Sequence, residues 1–189
     1  MSVTRDTLGL ETAMSIQISL DILIEYTQWE RDKWHDWLRQ HGNNILKTSV
    51  GAHGDGRFES IGDVIRHIFS AEKRYIDRFS GRSLTDTGLV PNDQIEELFR
   101  FGEESRNYLQ EFLETYPSER WDRTQDFTIA NSLIRATPKK IAIHILLHEI
   151  RHWAQIATLF RLNGVTSEFH DFLFSPVLGG EIRREQTNA

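Results

Sequence analysis

The sequence predicts an all-α protein, an antiparallel four-helix bundle with a long irregular connection before its last helix. Three observations carry this prediction. Apolar residues recur at spacings of three and four through four separate stretches, each long enough for ~20–28 helical residues. Capping and breaking residues bound those stretches. Strand-like signal is confined to one short segment before the last of them.

The first helix is expected over residues 13–40, where Ile16, Leu20, Leu23, Trp34 and Leu38 share a face and Gly42, Asn43 and Asn44 end the run. A polar connection follows, with GAHGDG at 51–56 reading as loop. The second helix is expected over 61–79, with Ser60 as N-cap and Gly81 as stop. Its stripe is Ile61, Val64, Ile65, Ile68, Tyr75 and Phe79. The third is expected over 92–115, between Pro91 and Pro117, burying Ile95, Leu98, Phe101, Leu109, Phe112 and Leu113. The segments DFTIA and SLIRA around Asn131 predict a short hairpin. The fourth helix starts at Thr137-Pro138, a cap followed by proline at the first helical position, and stops at Asn163-Gly164.

A chain of 189 residues, 39% apolar and 26% charged, fits one folded domain, expected over residues 1–178, with 179–189 as a disordered tail. The absence of cysteine excludes disulfides, thiolate metal sites and a cysteine nucleophile. Any metal must therefore be held by histidine, carboxylate or water. The net charge is −6, and positions 91–119 carry eight acidic residues against Arg100 and Arg106. That balance argues against nucleic acid as a partner, because backbone binding wants a basic surface. No apolar run approaches a membrane span, and the first residues lack the order of a signal peptide, so a cytoplasmic location is expected.

The chemistry sits in histidines. His144, His148 and His152 fall four apart in the fourth helix, and residues four apart are neighbours on one face. The stripe Ile141, Ile145, His148, His152, Gln155, Leu159 turns the last two imidazoles toward the core. Buried imidazoles need partners, and metal ligation supplies them. A lone pair of histidines at this spacing is more often a surface feature than a ligand pair, so a third ligand matters. His67 supplies one, because it lies mid-helix between Val64 and Ile68. His144 is a poorer third ligand: four residues overshoot a 3.6-residue turn by ~40° per step. It reads instead as a neighbour, a substrate contact or a core histidine.

The same stretch, His148-Glu149-Ile150-Arg151-His152, spells HExxH, in which a zincin uses glutamate as general base. The third zincin ligand is missing: Gln155 and Thr158 occupy the metzincin glycine and histidine positions, and Glu168 falls in a predicted loop. Glu149, ~100° round the helix from His148, is therefore expected to be a flanking residue or an acceptor behind the ligands, of minor consequence when replaced.

These motifs resemble the DinB/YfiT-like family of metal-binding four-helix bundles, the damage-inducible family rather than the DNA polymerase sharing its name. HIFSAE at 67–72 is similar to the family's HIxxAE, and HILLHEIRHWAQ at 144–155 to its HxxxHxxxHRGQ, with Trp153 and Ala154 replacing arginine and glycine. YTQWERDKW at 26–34 and DFLF at 171–174 also resemble family segments, with Thr27 where asparagine is common; the resemblance spans about residues 14–175. It implies that His67, His148 and His152 hold a divalent metal ion. His144, Glu149, Gln155 and Thr27 are then expected behind the ligands or on the substrate side. Three imidazoles leave a coordination position open, as in catalytic sites. Zinc or nickel suit them best, with iron and manganese as further candidates. Relatives include enzymes that transfer low-molecular-weight thiols such as bacillithiol or mycothiol, and a mycothiol-dependent maleylpyruvate isomerase. The expectation is thus a metal-dependent enzyme acting on a small molecule, a thiol S-transferase or a hydrolase. The alternative is a non-catalytic stress-response protein braced by its ion. Relatives often pair, and Trp29, Trp34 and Trp37 offer more aromatic surface than one stripe needs, so a homodimer is expected.

Overall fold

A computed structural model describes residues 19–51, 56–129, 131–167 and 170–179. Four long helices dominate: α1 (Leu20–His41), α2 (Ile61–Phe79), α3 (Ile95–Thr115) and α4 (Pro138–Leu162). Strands β1 (Gln125–Ile129) and β2 (Ser132–Ala136) pair antiparallel between α3 and α4. The predicted tail lies almost wholly outside the described residues, as do positions 13–18.

The caps explain the boundaries. Ser19 is extended and its hydroxyl accepts from the Ile22 N–H, so α1 starts at Leu20, later than the apolar pattern suggests. Ser60 and Asp63 form a capping box at the start of α2. Thr137 caps α4 ahead of Pro138. α3 starts three residues later than expected because Asn92 is engaged elsewhere. Its side chain donates to the Asp63 carboxylate at 2.7 Å, and its carbonyl presses on Gly62 so closely that a Cβ there would lie 1.8 Å from the oxygen. Only glycine fits at that position.

Helix directions follow from paired contacts. Trp34 stacks on Trp153 and Trp37 packs on Phe160, so α1 and α4 run parallel. Phe69 meets Phe99 and Phe79 meets Phe112, so α2 and α3 also run parallel. Tyr75 meets His144 while His67 meets His152, so α2 and α4 are antiparallel. Arg39 pairs with Glu96 and Thr27 with Arg106, so α1 and α3 are antiparallel. The expectation of an antiparallel arrangement is therefore corrected for two of these neighbouring pairs. The connection between α2 and α3 is the reason. A helix the length of α2 rises ~28 Å, and the intervening chain is long enough to return over that distance. Its arrival is fixed by the Asn92 contacts at the head of α2.

Among the described residues, no helix is long and apolar enough to cross a membrane. Trp34 and Trp37 lie in the core, 0% and 5% exposed, which removes most of the aromatic surface from which a homodimer was expected. The hairpin turns at Asn131, whose φ of 64° suits asparagine. Its Phe127 packs edge-on against Phe79 and Tyr75 of α2.

Candidate metal centre

α2 and α4 bring three imidazoles together. Val64 and Ile68 anchor α2 in the core, and His67 between them points across to α4. His148 and His152 stand on adjacent turns. The His148 Nε2 lies 3.1 Å from the Nε2 of His67 and 3.1 Å from the Nε2 of His152. One ligand atom from each of the three falls within 4.8 Å of the others, so the group can hold a metal ion.

The donor chemistry fits a divalent cation. The His152 Nδ1 stands 2.7 Å from the Gln155 Oε1. A carbonyl oxygen only accepts, so Nδ1 carries the hydrogen and Nε2 presents its lone pair inward. Burial, then the neighbouring His152, His67 and His144, push the His148 ring down to about 2, leaving it neutral and available as a ligand. A tetrahedral site with bonds of ~2.1 Å separates its nitrogens by ~3.4 Å, close to the observed spacing. Phe58 packs 4.9 Å from the His67 ring and shields that side.

A cavity of about 490 Å³ opens beside these histidines, lined in part by His67, Tyr75, His144 and His148. His144 is thus at the cavity rim and outside the converging group, with its Nε2 3.4 Å from the Tyr75 hydroxyl. Burial and, secondarily, Arg151 lower its pKa.

Glu149 and Thr27 require correction. Neither stands on the substrate side; both belong to a buried ionic layer between the helices, to which α4 turns Glu149 and α1 turns Thr27. The Glu149 carboxylate accepts from Arg31 Nε at 2.5 Å and Nη2 at 2.8 Å, from Arg106 Nη2 at 2.8 Å and from Trp153 Nε1 at 3.1 Å. Glu72 accepts from Arg31 and from the Ser105 hydroxyl, and Arg106 donates to the Thr27 hydroxyl. Each helix contributes one charge: Arg31, Glu72, Arg106 and Glu149, all 4% exposed or less. Burial would raise the Glu149 pKa, but Arg31 and Arg106 outweigh it and hold the carboxyl below its usual range. So engaged, Glu149 is not placed to act as the general base of a zincin.

Glu30 adjoins this layer and was not singled out from sequence. It is 3% exposed, and burial, followed by the charge of Glu149, pushes its carboxyl from 4.5 up to about 8. A carboxyl raised on folding stabilises fully below its unfolded value and loses that contribution as pH rises through the folded one. Stability should therefore fall between pH ~4.5 and ~8 through this group, at ~1.4 kcal/mol per unit. Glu30→Gln is expected to flatten that part of the profile in urea denaturation, making the variant more stable than the parent at pH 9 but not at pH 5. Parallel profiles would contradict the assignment.

These features define a helical protein with a three-histidine group able to take a divalent ion beside an open cavity. Residues 14–184 match the DinB family, and the chain belongs to it. Among solved structures, a DinB-like protein from Bacillus subtilis, YjoA, is similar with a TM-score of 0.51 at 16% identity, over 78% of this chain and 96% of that one. At that identity the likeness is one of fold. No protein with a curated description matches the chain.

Proposed function

We propose that this protein is a divalent-metal-dependent enzyme acting on a small molecule, as a low-molecular-weight-thiol S-transferase or a hydrolase. His67, His148 and His152 are its metal ligands, with zinc or nickel as the best-suited ions. One observation carries the reading. Among the described residues the converging group has three members rather than four, and a cavity lies beside it. Three ligands and an accessible side are the pattern of a catalytic site. When bound, such an ion lowers the pKa of a coordinated thiol or water.

The chain's own residues supply the rest. Gln155 fixes the His152 tautomer, and Phe58 limits water on the His67 side. His144 lies at the rim with its Nε2 near the Tyr75 hydroxyl and its pKa lowered by burial, and in this reading it exchanges a proton with the substrate at Nε2. The absence of cysteine agrees with a thiol arriving as cosubstrate.

The test uses protein purified without a histidine tag, loaded with zinc or nickel and incubated with a panel of low-molecular-weight thiols plus an alkylating electrophile. Hydrolysis of activated esters and amides is followed in parallel. Metal-dependent turnover that chelation abolishes is the expected result. Stoichiometric metal without turnover in either arm would favour the ion as a brace of the helices.

A further inference from the structure

The cavity beside the histidines is cationic in a chain of net charge −6. Arg57, Arg66, Arg74, Arg78 and Arg151 line it, against a single carboxylate, Asp63. Asp63 is already engaged, accepting from Arg66 Nη2 at 2.9 Å, Asn92 Nδ2 at 2.7 Å and the Ser60 N–H at 3.1 Å. Arg66 is thereby accounted for.

Arg74, Arg78 and Arg151 are not. Among the described residues none of the three forms an ion pair with a carboxylate. Arg74 and Arg78 stand one turn apart on the strip of α2 that also carries His67 and Tyr75. Like charges at this spacing repel. Burial, and then Arg74, lower the Arg78 pKa. The Arg74 Nε is buried without a hydrogen-bond partner among the described residues. Arg151 faces them from α4, its Nη2 3.4 Å from the His152 Nε2. The Arg78 Nη1 donates to the Arg74 carbonyl at 3.1 Å, which leaves its charge unmatched. Guanidinium groups without a carboxylate partner around a concave space favour a ligand that brings negative charge, and their planar fork matches carboxylate and phosphate oxygens in pairs.

We propose that the cavity takes a small anionic substrate, whose carboxylate or phosphate group is held by Arg74, Arg78 and Arg151 while its reacting part lies against the three histidines. The volume of about 490 Å³ suits a small molecule. That the bound anion is a substrate rests on the metal-enzyme reading above; the arginine site itself does not.

The experiment measures binding of inorganic phosphate, succinate and neutral succinamide by calorimetry, on zinc-loaded and on chelator-stripped protein. The parent is compared with Arg74→Gln/Arg78→Gln and with the charge-keeping Arg74→Lys/Arg78→Lys, each checked for unchanged helicity and metal content. The proposal expects phosphate or succinate to bind and succinamide not to. The glutamine variant should weaken the preferred anion by about ten- to a hundredfold, the lysine variant by less. The preferred anion, phosphate or succinate, identifies the group recognised. Equal affinity in parent and glutamine variant, or equal binding of succinamide, would overturn it. Anion binding that needs zinc but not the arginines would also overturn it, leaving the metal reading intact. Arginine-dependent binding in a protein that takes up no metal would uphold the anion site and remove the enzyme reading.

Discussion

Replacing His148 with alanine is expected to abolish stoichiometric metal binding while leaving the helices folded. His148 is the middle member of the group, with its Nε2 within 3.1 Å of both other ligand nitrogens. Changing a residue that only orients a ligand costs ten- to a hundredfold in affinity, so loss of the ligand itself should cost more than ~100-fold. Gln155→Ala, which frees the His152 tautomer, belongs to the smaller class. His144→Ala should change affinity little, because His144 lies outside the converging group. Competitive titration with a chromophoric chelator gives all three values. An ordering in which His144→Ala costs more than His148→Ala would contradict the site. The metal-free His148→Ala protein should keep its denaturation midpoint, since the change relieves crowded imidazoles rather than opening the core.

The second large effect is on stability. Glu149→Ala leaves Arg31 and Arg106 sharing one buried carboxylate, Glu72, and deprives the Trp153 indole of its acceptor. Breaking a buried ion pair from one side costs about 3–5 kcal/mol, against a total of roughly 5–15 kcal/mol for a domain. Urea denaturation of Glu149→Ala should show a loss of that order, whereas removal of Glu97, which makes an exposed i,i+3 pair with Arg100, should cost below ~1 kcal/mol. Because Arg31 and Arg106 depress the Glu149 pKa, its contribution is present above the ordinary carboxylate value and lost as pH falls through the folded one. The charge loss is separable from the shape change: Glu149→Gln keeps the outline and should fall between the parent and alanine. A loss under ~1 kcal/mol for Glu149→Ala would mean that the layer is not the structural element its burial suggests.

The triad was legible because periodicity reports faces. His67 lies beside the stripe of α2, between Val64 and Ile68, and His148 and His152 lie on that of α4, so the sequence brings all three toward the same helix pair. The helix ends were legible at Ser60 and Thr137, where capping side chains adjoin an apolar run. They were less so at Ser19 and Asn92: Ser19 is a cap embedded in an apparently continuous pattern, and Asn92 is held by Asp63 across 29 positions. Helix directions depend on where connections return, which periodicity does not encode. The ionic layer escaped notice for a similar reason. Its partners are 33–118 positions apart, and Glu149 inside HExxH invites a catalytic reading. A signal did exist. Arg31 lies three before Trp34, Glu72 three after Phe69, Arg106 three before Leu109, and Glu149 four before Trp153. Each charge therefore sits on the apolar face of its own helix, one per helix, with signs that cancel.

The most direct measurement is anomalous diffraction from crystals of the untagged protein grown with zinc or nickel, recorded on both sides of the metal absorption edge. The account predicts one edge-dependent peak with ring nitrogens of His67, His148 and His152 at ~2.0–2.2 Å, its remaining side facing the arginine-lined cavity. No peak there, or a peak bound by Glu149 in place of His67, would contradict it.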